Sequence, residues 1–594
     1  MSTLSNDTLK QYFLREMEYL RKDSVRFARE YPQVAQELAL NQERSDDPQV
    51  ELLLQSFAYL SGQLRYQMAM DDAELPNQLL AALNPHLEIP WAPRSIIQLD
   101  VDPDGASFDK LNVLPAESVF TAPLSWNDEQ LACRFRTTRA ADIWPLVIRD
   151  VQVQSRGGHE QAEVVSCIKV SLKVRGQYSF RTMPITRLQF CLDGIDRFRV
   201  HDLLFSCLHG IELADPQSHE IVASLDGDCC EFIEDLNLNA ILPGLSTVHP
   251  GLVNIREYFA FPEHFLFFNL NGLDLSGFDQ ELELRFLLTR PCLQIDADCL
   301  RLNAVPIINL FRQALEPFSI QAGRLEYQLT ADQFRHPVTE ILALEQLQLQ
   351  GIDGRVIQVP PLYGSTTDID DGYWLARREL SQTNTVPGTE LFLRFVDTQL
   401  RPAGLQTARV TGRAWCCNRR LAEKLSSGSR LNLEGAGAVQ TGSLLRKPSR
   451  HQTPDLSGDR SQLLVGQLSS HFQPFENGEV GVNMLRNLLK QHLGTAEAEM
   501  IAQIDAIERL DTRRITRRVG DDLWRGHCHG LQWQVSIDLD RFGSVSPLVF
   551  ARVLNETLKH RVALNSFSEL AIIDAGSGET LHCWSVSQGA LWQQ

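Results

Sequence analysis

Residues 7–32 read DTLKQYFLREMEYLRKDSVRFAREYP, and this stretch sets the character of the first ninety residues. Leu9, Phe13, Met17, Leu20, Ser24, Phe27 and Tyr31 recur at spacings of four and three, which places them along one stripe of a helix. Asp7 is placed to cap that helix, and Pro32 to stop it, because proline pushes its predecessor toward extended backbone. A second start signal follows at Asp47-Pro48, where the proline occupies a first-turn position whose N–H has no helical partner. From there Val50, Leu53, Leu54, Phe57, Leu60, Leu64 and Met68 again share one face. A third, shorter helix is predicted over 75–83, ended by Asn84-Pro85. Each stripe must be covered, either by this chain itself or by helices of another subunit entering a seam. The candidate seam residues are Leu9, Phe13, Met17, Leu20, Phe27, Tyr31, Val50, Leu53, Phe57 and Leu64.

After Trp91-Ala-Pro93 the pattern changes to short β-type runs. Residues 95–101, 164–174, 187–192, 265–270 and 282–288 read as strands between Gly, Pro and Asp turns, with a short helix near 200–208. A second β-rich stretch spans about 325–433, including strands at 391–396 and 409–415. Residues 440–462 are polar and turn-rich, the best candidate for a linker or long loop. Beyond it, 482–493, 497–510 and 547–559 read as helices, and 531–539, 570–574 and 581–586 as strands. The expected fold is α+β and multidomain: a helical segment over 1–90, β-rich domains over 91–324 and 325–480, and a compact domain of helices and antiparallel strands over 481–594.

The chain has 594 residues, which at roughly 150 per domain supports about four units. Its 75 acidic side chains against 56 basic ones give a formal charge of -19, which repels phosphate backbones and anionic lipid. Nucleic acid and direct membrane insertion are therefore not expected partners. No apolar run reaches the roughly 18 residues of a spanning helix. Lys10, Arg15, Glu16, Glu18, Arg21 and Lys22 interrupt any signal-peptide core. Twelve scattered cysteines with no C-x-x-C read as reduced thiols, so the expected compartment is the cytoplasm.

Catalytic signatures fail. No G-x-x-x-x-G-K-[ST] is present, and Gly435-Ala-Gly437 lacks the third glycine of a dinucleotide turn. His159-Glu160 and His219-Glu220 have Glu163 and Ala223 where a zinc protease needs its second histidine. No G-x-S-x-G elbow occurs either. Asp100, Asp102, Asp104 and Gly105 open like a calcium loop, but Leu111 holds the twelfth position that requires a carboxylate, so a strand ending in an acidic turn is expected. His527-Cys-His529 puts two imidazoles on one strand face without a third ligand. The aromatic run Tyr258, Phe259, Phe261, Phe265, Phe267 and Phe268 lacks the interleaved cations of a stacking platform and reads as a strand buried on both faces. No cofactor, metal or catalytic residue is expected. Arg509, Arg513, Arg514, Arg517 and Arg518 form the one dense basic cluster, a candidate docking patch for an acidic partner unless the chain's own acids take it up.

Several blocks together resemble one family. Tyr12-Phe-Leu-Arg-Glu-Met-Glu-Tyr-Leu-Arg21, Phe27-Ala28 and Tyr31-Pro32, then Asp47-Pro48 through Glu51, Phe57-Ala-Tyr-Leu60 and Leu83-Asn-Pro-His-Leu87, are similar to the opening of TssF proteins, also called VasA or ImpG, of type VI secretion. Cys133-Arg-Phe-Arg-Thr-Thr138 with Trp144-Pro-Leu146, Glu257-Tyr-Phe-Ala-Phe-Pro-Glu263 with Phe265–Phe268, and Val305–Phe311 with Glu316-Pro317 continue it. Arg525-Gly526 and Leu564-Asn-Ser-Phe567 close it. Met17, Ala69-Met70 and the 440–460 loop depart from the common pattern. The resemblance implies a non-enzymatic baseplate wedge subunit. Its implied partners are a second copy of itself, TssG, TssK trimers, the VgrG hub, and the sheath and tube proteins, with the two helical stripes entering an intermolecular bundle. Two other classes stay open on the residues alone: a cytosolic enzyme with a non-contiguous site, and a free-standing β-rich binding protein.

Overall fold

A computed structural model describes residues 3–37, 47–126, 129–155, 164–233, 236–242, 250–321, 323–351, 354–362, 372–381, 387–397, 409–435, 437–454, 456, 462–466, 477–494, 498–518, 527–559, 562 and 566–588. Helix α1 covers Thr3–Glu30, α2 Pro32–Glu37 and α3 Pro48–Leu83. The Asp47 carboxylate accepts from Gln49 N at 2.8 Å, so the second start signal acts as expected. Two boundaries differ. Helix α1 begins before Asp7 rather than at it, and the separate helix expected over 75–83 is the continuation of α3. A proline inside a helix loses one backbone bond, yet α3 runs through Pro76. Pro76 and Leu80 are buried there, and Asn77 Nδ2 donates to Leu456 O, so packing on the body of the chain holds the last turns.

Six strands close a barrel in the order Arg94–Val101, Ala304–Ile308, Glu129–Thr137, Val119–Trp126, Arg430–Leu433 and Val439–Leu444. This draws residues from both expected β-rich domains. It also corrects the linker reading: residues 439–444 pair with Arg94–Val101, and the chain stays anchored afterwards through Ser449 N to Arg94 O and Gln452 N to Trp91 O. The first residues of 440–462 are thus a barrel strand rather than a free tether, and 445–454 follow it as an anchored loop. Part of that segment, including Gly458, lies outside the described residues.

A five-stranded and a four-stranded antiparallel sheet flank the barrel. The described strands between Phe311 and Cys417 build a second β layer, centred on the strand pair Glu340–Gln350 and Arg409–Cys417. The C-terminal unit is a sheet ordered Ile507–Arg518, His527–Ile537, Phe567–Asp574 and Thr580–Cys583. Its middle pair is parallel, not antiparallel as expected, because the helix Pro547–Lys559 supplies the crossover that a parallel pair requires. The helix expected over 497–510 ends at Asp505, and a strand starts at Ile507. This unit is not a detached domain. Tyr258 donates to Gln503 Oε1 at 3.0 Å and packs its ring at a tilt against Phe550, and one hydrophobic core runs from the barrel into it.

Candidate interaction surfaces

The two predicted stripes meet different fates. Helices α1 and α3 lie antiparallel: Tyr12 is edge-on to Tyr66, Ser61 and Arg65 bind Glu16 at 2.7 and 2.8 Å, and Arg21 reaches Glu51. Along α1, Leu9, Glu16 and Met17 are buried and Phe13 and Leu20 half-buried, so the first stripe is largely consumed by this hairpin. Phe27 and Tyr31 are exposed beyond it. Helix α3 contributes a face of small side chains instead, with Ala58 fully buried and Gly62 against the α1 backbone. Its large apolar residues point away. Leu53, Phe57, Leu60, Leu64 and Met68 are 69, 61, 63, 61 and 57% exposed, with Leu52 and Leu75 beside them and only Val50 and Leu54 partly covered. Burying one such side chain stabilises by about 1.5–3 kcal/mol, so five left open forgo on the order of 5–10 kcal/mol. A contiguous apolar stripe of this size is the signature of an interaction site.

The arginine cluster is less coherent than its spacing suggested. It lies on the edge strand Ile507–Arg518, where alternation sends Arg509, Arg513 and Arg517 to one face and Arg514 to the other. Arg509 pairs with Asp511 at 2.8 Å and Arg517 with Glu569 at 2.9 Å. Arg513 and Arg514 are exposed and form no ion pair with a described residue. What remains is one unpaired charge on each face of the strand rather than a patch, and the two also guard an open sheet edge against stray pairing.

A buried acid–base cluster escaped sequence reading altogether. Arg94 Nε donates to both Glu257 oxygens at 2.8 Å, His264 Nδ1 contacts Glu257 Oε1 at 2.9 Å, and His264 Nε2 meets Thr138 Oγ1 at 3.1 Å. Burial works to raise the Glu257 carboxyl, but Arg94 and His264 outweigh it and bring it to about 2. Burial lowers His264 to about 4, against the opposing bond from Glu257. Perturbed pairs of this kind mark active sites when they line a cleft. Here Glu257 and His264 are 1 and 2% exposed, so no substrate reaches them without opening the core. The cluster joins three of the sequence blocks quoted above, those at 133–138, 257–263 and 305–311, since Thr138 also bonds Pro306 O. Its role is to lock the barrel to the helix Pro250–Ala260.

The remaining candidates fall where chemistry placed them. The strand ending at Val101 turns through Asp102, whose carboxylate accepts from Asp104 N at 3.0 Å. His529 Nδ1 sits 2.9 Å from Thr516 Oγ1 across the hairpin. The aromatic run is buried as expected, but Tyr258 and Phe259 end a helix and only Phe267 and Phe268 are in a strand. Arg525-Gly526 and Leu564-Asn565 lie outside the described residues.

A hydrophobic stripe open on a helical hairpin, joined to a β body whose acid–base cluster is sealed, has the character of a structural subunit. A family model described as "Type VI secretion system, TssF" matches residues 5–590, and the chain belongs to that family. The type VI secretion system component TssF1 of Pseudomonas aeruginosa (strain PAO1) is 24% identical, the alignment covering 98% of this chain and 99% of the relative. The fold is similar to a chain in a type VI secretion TssK-TssF-TssG baseplate subcomplex, with TM-score 0.71, 21% identity, and 92% of this chain and 100% of that one covered. It is also similar to a chain in a type VI secretion baseplate complex, with TM-score 0.63, 20% identity, and 98% and 100% covered.

Proposed function

We propose that this chain is a non-enzymatic structural subunit of a type VI secretion baseplate, assembling with TssG and TssK proteins into a wedge. The observation that carries the reading is the uncovered stripe Leu53, Phe57, Leu60, Leu64 and Met68 on a helix whose other face is already occupied by α1. Membership of the TssF family and the likeness to chains of baseplate complexes support it. The seam is thus a pre-formed hairpin that offers one long face to helices of TssG and of a second copy of this chain. TssK trimers, the VgrG hub, and the sheath and tube proteins are further partners. No described helix is long and apolar enough to cross a membrane, and the wedge works at the cytoplasmic side, docked to the membrane through partners. Arg513 and Arg514, on opposite faces of the edge strand, each offer a single charge to an acidic partner surface.

The test is co-expression with TssG, reading complex mass for wild type and Leu64→Asp. A charge buried unpaired in the seam costs several kcal/mol. Wild type is expected to give a complex with two copies of this chain, and Leu64→Asp to lose it while remaining folded. Normal assembly by Leu64→Asp would overturn the seam, and a wild-type chain that ignores TssG would overturn the wedge.

A further inference from the structure

Glu340, Cys417 and His451 bring a carboxylate, a thiol and an imidazole within 4.8 Å of one another, all buried. Glu340 opens the strand Glu340–Gln350 and Cys417 ends the strand Arg409–Cys417, where antiparallel register sets them directly opposite. His451 arrives from the barrel, on the segment that follows the strand Val439–Leu444. It is 4% exposed, and neither ring nitrogen makes a hydrogen bond, although Nε2 lies 2.6 Å from Glu340 Oε2. Among the described residues the buried ring thus meets a carboxylate at contact distance with no hydrogen bond to hold it. Cys417 Sγ is 4.0 Å from the same carboxylate oxygen. The other oxygen, Oε1, is held by Thr389 N and Thr389 Oγ1 at 2.5 Å each, an outer shell that fixes the carboxylate orientation.

We propose that Glu340, Cys417 and His451 form a structural site for a zinc-type divalent cation at the junction of the barrel and the second β layer. One soft sulfur, one imidazole and one carboxylate suit zinc rather than magnesium or calcium, which take oxygen ligands. Ligands on a shell of about 2.0–2.3 Å sit roughly 3.3–3.7 Å apart in a tetrahedron, so loading opens the nitrogen–oxygen contact by about 0.7 Å and closes the sulfur–oxygen one by about 0.4 Å. Three protein ligands leave one coordination position open.

Arg378 and Arg419 stand close by, through Thr389 Oγ1 at 2.7 Å and Thr389 O at 3.3 Å, and would oppose any added positive charge. The Glu340 carboxylate and a Cys417 thiolate offset the two charges of the ion, the thiol proton leaving to solvent as the metal binds. Burial and the Glu340 charge push the Cys417 thiol well above its usual range, so the sulfur stays protonated until a metal displaces its proton.

The experiment needs no partner and so fails independently of the assembly reading. The full chain is purified without a metal-affinity tag, its zinc is measured by mass spectrometry, and Co2+ is added to the metal-stripped protein while thiolate-to-cobalt charge-transfer absorption is followed. About one zinc per chain and a clear sulfur–cobalt band are expected. Both are lost in Cys417→Ser and in His451→Gln, and both are retained in Cys416→Ser, whose thiol alternates to the other strand face. A folded wild-type chain with neither zinc nor a sulfur–cobalt band overturns the proposal. So does zinc retained in Cys417→Ser, which marks an adventitious ion only. Should Cys417→Ser fail to fold, the wild-type cobalt spectrum decides alone.

Discussion

A methyl group added at Gly62 would stand 3.0 Å from the backbone nitrogen of Phe13, so α3 approaches α1 closely enough that only a glycine fits. Closeness of this kind turns two helices into one preassembled unit and directs the larger side chains of α3 outward. Gly62→Val is therefore expected to splay the hairpin, costing about 1–3 kcal/mol. Thermal unfolding should show the loss, and partner binding should weaken with it, because the outward stripe loses its backing.

Leu20 and Leu64 separate the two faces of the hairpin. Leu20 is half-buried on the α1 side, while Leu64 is 61% exposed on the free face of α3. Leu20→Asp should lower the thermal stability of the isolated chain. Leu64→Asp should change it by no more than about 0.5 kcal/mol, the usual range for surface substitutions. Equal destabilisation by both would show that α3's outer face already packs on its own chain.

The His264–Glu257–Arg94 cluster carries a pH signature. His264 falls from an ordinary value near 6.5 to about 4 in the folded protein, so the unfolded chain binds the extra proton between those limits. Stability is full above about pH 6.5 and declines as pH falls toward 4. The depressed Glu257 adds its own loss below about pH 4.3, continuing toward 2. Urea unfolding midpoints at pH 7.5 and 5 should differ for wild type, and His264→Gln should flatten that interval. Glu257→Gln should cost about 3–5 kcal/mol at neutral pH by stranding the Arg94 charge.

Arg513 and Arg514 are predicted to contribute to contacts rather than to stability. Reversing both to glutamate should leave the melting temperature nearly unchanged, since neither is paired with a described residue. Salt-dependent weakening of one partner contact, read by pull-down at low and high ionic strength, is the expected effect. A large drop in stability would show that the edge strand depends on these charges.

The sequence alone was enough to determine the amphipathic helices, most strand positions, the lack of familiar catalytic motifs and the resemblance to a family. Those features are local: a 3–4 apolar spacing, an Asp47-Pro48 start or an alternating run is written in neighbouring residues. Local rules misplaced the 497–510 helix, because strand pairing with His527–Ile537 outweighed the propensity of residues 507–510. They read 440–462 as one linker or long loop, although its first residues form a barrel strand, because polar alternation on a barrel wall and a loop have similar composition. Only the tertiary structure decided which stripe was already covered, since Gly62 and Ala58 invite α1 to one face of α3 by their smallness rather than by hydrophobicity. It alone brought Arg94 to Glu257, and Glu340 and Cys417 to His451, across separations that no spacing rule spans. Long-range contacts are set by how strands register and close into a barrel, and that is a property of the whole chain rather than of any window within it.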